Sequence, residues 1–573
     1  MSLLKAVEKS TKNNFLISLL PYLFIVIAAF PAVAAITQPG YFSMHDDLQV
    51  MRQLQMSKCW EDFQIPCRWV PDLGYGFGYP LFNYYPPMPY YLGQVVHFLG
   101  FSFLDTVKVL FVLAFILSGF TMYLLASEFF GKIGGVVAAV FYIFAPYHAI
   151  DVYVRGAANE AWALVWFPAI LWSIYKLVKT GQLIFILFSA VFTAFLTISH
   201  LPMMMVFVPG ALVWTIFWLI AEKSFKNLPK LVISGIFGLG LAAFFIIPVI
   251  FEQKFAHTET LFIGYFNYLA HFTNINQLFF SRYWGYGESV FGPADTMAFP
   301  LGHLHWIGTI IALFVAWQLR KKFPKISATI LLFFAWIYFY TFLTHQRSAL
   351  IWRIATPLQF LQFPWRILAL SMVGTSFLAG AAILLFQKFN RIFRLSIAGI
   401  LIILVIVFNF QFFTWREFFP QMTDAEKFSG KNWQLQQTSG IFDYLPKQLP
   451  LPPKDPPDGD AKFLTGVGEF AKLAKNSVIQ EYKIKVNSET AEFQINTFYF
   501  PGWKVFVNSK EVPIDPSRDK VNGTMIVDLQ KGVYTIRAEF EKTPIRAASD
   551  IISGVSWLIL LGLFLAFSFK KFK

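Results

Sequence analysis

His45, Asp46, Asp47 and Arg52 fall within eight residues of one another, just beyond an uncharged, mostly apolar run from Asn13 to Gly40. One carboxylate of such a group can take a proton from an acceptor hydroxyl as general base. The other can orient the acceptor or hold a divalent cation through its oxygens. Arg52, with Arg68 downstream, can fork onto a phosphate. A simpler use is a helix start, with Ser43 or Asp46 capping the first turn and the carboxylates favoured by the positive end of the dipole. A cap needs one short acceptor, and this segment holds a surplus. If helical, it sets His45, Gln49 and Arg52 on one face by the i, i+4, i+7 spacing.

Other chemistry-bearing residues recur at apolar-segment ends. Residues 67–93, CRWVPDLGYGFGYPLFNYYPPMPYYLG, pack Gly, Pro and aromatics too densely for a regular helix. Tyr84 and Tyr85 there offer a stacking surface for a sugar, although Tyr and Trp also favour headgroup depth. GYGFG lacks the strand-and-helix setting of a nucleotide loop. Cys59 and Cys67 are the two cysteines of the chain. In an oxidising exterior they are expected to close a disulfide, the alternative being two free thiols. YVRGAANEAW supplies Arg155 and Glu160, which suit a phosphate site or an ordinary helix start. His200 in ISHLP stands alone, and a lone histidine is more often structural than catalytic. Arg366 in LQFPWRIL suits either snorkelling or phosphate binding.

These residues need elements that carry them, and composition says which. Hydrophobic residues make up 56% of the 573 and charged residues only 14%, far below the soluble average of about 25%. Twelve apolar runs suffice, at roughly 20 residues per crossing, near 15–37, 106–127, 133–150, 160–175, 182–199, 202–221, 230–251, 304–319, 326–343, 366–387, 393–414 and 551–569. The first has no small-residue cleavage site and reads as an anchor. Lys and Arg gather before the first run and in every second loop, from Lys5, Lys9 and Lys12 to Lys570, Lys571 and Lys573, which predicts cytoplasmic termini and large loops outside. The net charge of +14 is partly this signal, and no basic block interleaved with aromatics points to nucleic acid. The middle of each run lacks Asp, Glu, Lys and Arg, which favours chemistry at the membrane surface over passage through it. From Gln421 the composition changes. A proline-rich connector, 445–460, leads into five short alternating segments that predict a small antiparallel β-sandwich. The expected domains are 1–414, transmembrane, with the first outer loop at 38–88; 415–549, an extracytoplasmic β-sandwich domain; and 550–573, a last helix with a basic tail.

The order HDD, RWVPDLGYGFGYPLFNYYPPMPYYL, YVRGAANE, SHLP, LQFPWRIL, FDYLPKQLP and FYFPGWKVFVNSKEVPI resembles the bacterial YfhO-like and PTPS-related membrane proteins, grouped with the GT-C glycosyltransferases, over nearly the whole chain. The resemblance implies a membrane all-α polytopic fold and an enzyme taking a sugar from a polyprenyl-phosphate donor outside the membrane. An acidic residue of the first outer loop would be the base, a place that Asp46 and Asp47 occupy. Many relatives have a single Asp followed by a second His, where this chain has Asp-Asp and then Gln49. The expectation is an inverting transferase of the plasma membrane whose active face is extracytoplasmic. His45, Arg52, Arg68, Tyr84, Tyr85, Arg155, Glu160, His200 and Arg366 would hold substrate, with no required cofactor and a divalent cation as an option at Asp46 and Asp47. Its partners would be the lipid-linked sugar, an envelope glycan, lipid or protein acceptor, and membrane lipids, with no nucleic acid. The alternatives are a lipid-linked-sugar flippase or transporter and a non-catalytic glycan-binding scaffold.

Overall fold

The computed structural model describes residues 2–290 and 295–571, with the side chains of 18–290 and 295–567. Lys573 lies outside the described residues, as do the side chains of Lys5, Lys9, Lys12, Lys570 and Lys571. Helix covers all twelve expected positions, but among the described residues seven helices are long and apolar enough to cross a membrane, or eight counting a bent pair. Three physical features separate the counts. Two expected spans are one helix, Phe103–Ile143, broken only at Gly131, where φ is 69°. Another is bent by 74° between Phe225–Leu241 and Ala243–Phe255. Ile184–Ser199 and His303–Leu319 are apolar but short, and the first run lies in the helix Ser2–Val33, whose side chains are described from Ser18 onward. The fold is that of a polytopic all-α membrane protein carrying a β-sheet domain near its C-terminal end.

Internal contacts divide the chain into two compact units, each drawn from three stretches: 1–46, 108–236 and 265–421, and 47–107, 237–264 and 422–573. The first is helical and packed with aromatics, with Trp214 and Trp218 buried on Phe129. Glycines let its helices approach closely: a Cβ on Gly380 would stand 2.5 Å from the Gly134 carbonyl oxygen. Tyr41–Phe42 pairs antiparallel with Phe418–Phe419, and Lys108 Nζ donates to the carbonyls of Gln38 and Gly40. These bonds fix the chain just before the acidic pair.

The second unit holds one six-stranded antiparallel sheet in the order Ala461–Thr465, Ile479–Phe498, Thr524–Phe540, Trp503–Val507, Lys510–Val512, with Gly468–Lys475 also paired to Ile479–Phe498. The expected sandwich of two sheets is therefore corrected to a single sheet. Its dry face is covered by the aromatic loop instead: Trp69 packs on Trp503 and Phe540, each at 5.5 Å between rings, and Phe77 stacks on Phe498 at 4.9 Å. Leu445 and Leu449 of the proline-rich connector join that core. Alternation in the sequence reports that one face is dry, not what dries it. Two of the expected breaks are also absent, because pairing of the two longest strands resumes beyond a bulge between Val486 and Thr490. GYGFG is a loop of left-handed backbone, with φ of 65°, 90° and 85° at Gly74, Gly76 and Gly78. A Cβ on Gly78 would meet the Trp69 ring at 2.6 Å.

A buried polar network ties this unit together. Arg546 Nε donates to Glu252 Oε2 at 2.8 Å, both residues almost wholly inaccessible. Thr543 donates to Glu252 Oε1 and Asn83 Nδ2 to Glu252 Oε2. Arg68 pairs with Asp550 at 2.6 Å and donates to Asn83 and to the Phe244 carbonyl. The last helix, Pro544–Lys571, is thus bonded to the first loop and to the bent pair.

Because Trp69 is buried at the centre of the sheet's cover, Trp69→Ala is expected to cost about 3–5 kcal/mol. Denaturant unfolding of the purified protein measures it, and a loss under about 1 kcal/mol would mean that the loop lies on the sheet without forming its core.

Candidate active site

Neither member of the acidic pair is the N-cap residue of a helix. The helix that follows is Gln49–Glu61, whose N-cap is Leu48 with no side-chain cap bond; residues 45–48 form a turn. His45 therefore does not share a helix face with Gln49 and Arg52, which corrects that expectation. The turn is held from elsewhere in its own unit. The backbone N–H groups of His45 and Asp46 donate to the carbonyls of Val154 and Arg155 at 3.0 and 2.9 Å. His45 Nε2 lies 2.9 Å from the Tyr286 carbonyl; an acceptor there requires the proton on Nε2. Gly156, at φ 63°, leaves room for Met44, whose Sδ would stand 2.1 Å from a Cβ. The Asp46 backbone is thus hydrogen-bonded to the residue whose side chain anchors the charged cluster.

That cluster lies within the helical unit and is buried. Arg155 Nη1 donates to Glu160 Oε2 at 2.7 Å and also to Asp151 Oδ1. Tyr147 donates to Glu160 Oε1 at 2.6 Å. The Arg155 guanidinium lies over the Trp365 ring at 4.8 Å, and Arg366 Nε comes within 3.8 Å of Glu160. Arg366 also donates to the Leu361 carbonyl and to Gln362. Arg155, Glu160 and Arg366 thus come together, with Asp151 and Tyr147, which sequence reasoning missed. Asp151 stands four residues before Arg155, a spacing that was legible.

The charge balance follows from burial. Desolvation and then Glu160 push the Asp151 carboxyl well above the usual range, against the opposing pull of Arg155. Burial disfavours the Arg155 charge, but Glu160, Tyr147 and Asp151 outweigh it and raise its pKa. Asp151 Oδ2 is buried without a hydrogen-bond partner, which costs far less for a neutral oxygen than for a charged one. Two guanidiniums, Arg155 and Arg366, thus gather around Glu160, with Asp151 on Arg155.

The remaining residues of the expected site, His200 apart, lie in the sheet-bearing unit. Asp47 pairs with Lys427 at 2.6 Å, and that lysine is buried while Asp47 is partly exposed. No local pattern marks Lys427, 380 residues away. Arg52 donates to the Tyr85 hydroxyl at 2.9 Å and stacks on that ring at 4.1 Å. Both line a small cavity with Tyr79, Asp443 and Tyr444. Arg68 belongs to the buried network above, and Tyr84 donates to the Glu252 carbonyl at 2.7 Å. Cys59 and Cys67 form a disulfide with Cα atoms 5.5 Å apart. Among the described residues no group of three or more His, Cys, Asp or Glu could hold a metal ion, and one Asp47 oxygen already accepts from Lys427. His200 acts locally: its Nδ1 accepts from the Met203 N–H at 3.2 Å, capping the helix Leu201–Ala221. Burial lowers the His200 pKa to about 4, which keeps that nitrogen an acceptor.

No family model matches the chain. An uncharacterized protein of Lactococcus lactis subsp. cremoris (strain MG1363) is 24% identical over 259 residues, 44% of this chain and 42% of that relative. Among solved structures, the oligosaccharyltransferase of Archaeoglobus fulgidus in its apo form is 14% identical, with a TM-score of 0.46, covering 75% of this chain and 62% of its own. The arabinofuranosyltransferase AftD from Mycobacteria is 12% identical, with a TM-score of 0.44, covering 70% of this chain and 27% of its own. The chain therefore spans less than two thirds of the length of each of these proteins.

The His200 cap makes a pH-dependent expectation. At neutral pH, His200→Ala should lower stability by about 1 kcal/mol, and His200→Asn, itself a good cap, by much less. A folded pKa of about 4 against about 6.5 unfolded means that the histidine's contribution is complete above the unfolded value and is lost as pH falls through the folded one. The gap between the native protein and His200→Ala, read from unfolding in detergent, should narrow over that interval.

Proposed function

We propose that this chain is a GT-C-type glycosyltransferase of the YfhO-like and PTPS-related kind, moving a sugar from a polyprenyl-phosphate donor to an envelope acceptor on the outer face of the plasma membrane, with both termini cytoplasmic. The observation that carries the reading is the placement of Asp46. It sits on the turn before the helix Gln49–Glu61, with its backbone bonded to Arg155 of a buried cluster that holds two guanidiniums. A group that must receive a proton beside a bound phosphate needs such a neighbour. Asp47 is tied to the buried Lys427 at 2.6 Å, whereas the backbone of Asp46 is bonded to the Arg155 segment, so the base is assigned to Asp46.

In the proposed step the acceptor O–H gives its proton to the Asp46 carboxylate while its oxygen bonds to the anomeric carbon. The bond from that carbon to the phosphate oxygen breaks, and its electron pair leaves with the lipid phosphate. Configuration inverts, because the nucleophile enters opposite the leaving group. Arg366, less deeply buried than Arg155 and 3.8 Å from Glu160, is the proposed phosphate ligand, with Arg155 holding Glu160 and supporting the field. No metal is required, since the guanidiniums supply the charge that a cation would.

The test is transfer from radiolabelled polyprenyl-phosphate sugars to envelope extract by the purified protein. Asp46→Asn should lose about 10²- to 10⁴-fold in rate while retaining donor binding, and Asp47→Asn should lose less. Near-normal transfer by Asp46→Asn would place the base elsewhere.

A further inference from the structure

The disulfide-closed loop of the first outer segment carries a feature that transfer does not explain. Phe63 is 88% exposed, and its φ is 55°, in the left-handed region. An aromatic side chain there strains the backbone, which glycine would avoid. Nothing within the chain returns that cost, because the ring is buried against no other side chain. Ile65, two residues on, is also exposed.

The loop is fixed in place. Cys59 and Cys67 close it, Trp60 meets Phe98 edge-on at 5.8 Å, and the Cys67 N–H donates to the Tyr91 hydroxyl at 3.1 Å. It therefore lies on the helix Met88–Phe98, whose end presents Val95, Phe98 and Leu99, the last 75% exposed. The loop and the helix end it rests on thus expose five large apolar side chains, Phe63, Ile65, Val95, Phe98 and Leu99. The charged neighbours are engaged, with Lys58 on Asp72 and Asp62 accepting from the Ser477 N–H.

What covers this set follows from continuity. Four residues after Leu99 the chain enters Phe103–Ile143, a helix long and apolar enough to cross a membrane. Val95, Phe98 and Leu99 precede that helix directly in the chain. We propose that the disulfide-closed loop docks into the bilayer, with Phe63 and Ile65 in the headgroup–acyl boundary beside Phe98 and Leu99. Such shallow insertion of an apolar face, about 5–10 Å deep, is typical of interfacial elements. It sets the depth at which the first outer loop meets the membrane, and it holds whether or not the chain transfers sugar.

Photocrosslinking in native membranes tests this. p-Benzoylphenylalanine is placed singly at Phe63 or Leu99, with Leu558 of the last helix, 71% exposed, as lipid-facing reference and Lys510 as water-facing reference. Phospholipid adducts are expected at 63 and 99, as at 558, and none at 510. A protein adduct, a crosslinked pair of chains or no adduct at 63, with lipid adduct at 558, overturns the proposal. Phe63→Gly gives a second readout: it relieves the backbone, so the unfolding temperature in detergent should hold or rise. A fall would show that Phe63 packs against the chain and would also overturn it.

Discussion

Charge that leaves water must meet charge, and both units of this protein are arranged around that constraint. In the helical unit, Arg155 is enclosed by Glu160, Asp151 and the Trp365 ring. In the sheet-bearing unit, Arg546 is enclosed by Glu252 and two phenylalanine rings. Removing one partner from such a pair leaves an uncompensated buried charge and costs about 3–5 kcal/mol. The pairs therefore specify which segments lie together more sharply than apolar packing, which tolerates sliding, can do. The acidic turn inherits its position from the first pair, because its backbone bonds run to the strand of chain that carries Arg155.

The two adjacent carboxylates show how a local sequence signal divides once the chain folds. Asp46 stays with the helical unit through a backbone bond; Asp47 belongs to the sheet-bearing unit and meets Lys427. One peptide bond separates a residue whose backbone is bonded to Arg155 from one whose carboxylate meets a buried lysine. The distinction between the candidate bases lies in contacts remote in sequence, so adjacency conceals it.

That contrast also marks what was legible. The segments carrying chemistry were identifiable by surplus: more ionisable groups than capping requires, at the ends of apolar runs. The convergence of Arg155, Glu160 and Arg366 followed from their common place at helix ends. Local periodicity could not reveal that the helix begins at Gln49, since Leu48 replaces the expected polar cap. Apolar run length could not distinguish a straight crossing from the 74° bend before Phe255. The single sheet was read as a sandwich because alternation is silent about what covers the dry face, here Trp69 and its neighbours. Lys427 and Arg546 have no nearby signal at all, each lying hundreds of residues from its partner.

The separation between Glu252 and Arg546, 294 residues, is also an interval of time. At about 5–20 residues per second, the ribosome needs roughly 15–60 s to reach the arginine after making the glutamate. For that period Glu252 has no counter-ion, and Arg68 likewise waits for Asp550. The first loop and the bent pair thus remain an open half-site during biogenesis, and closure of the sheet-bearing unit is deferred until the last helix emerges. Any chain that stalls before that helix exposes buried-type charge, a distinguishing mark by which membrane quality control can tell it from a finished one.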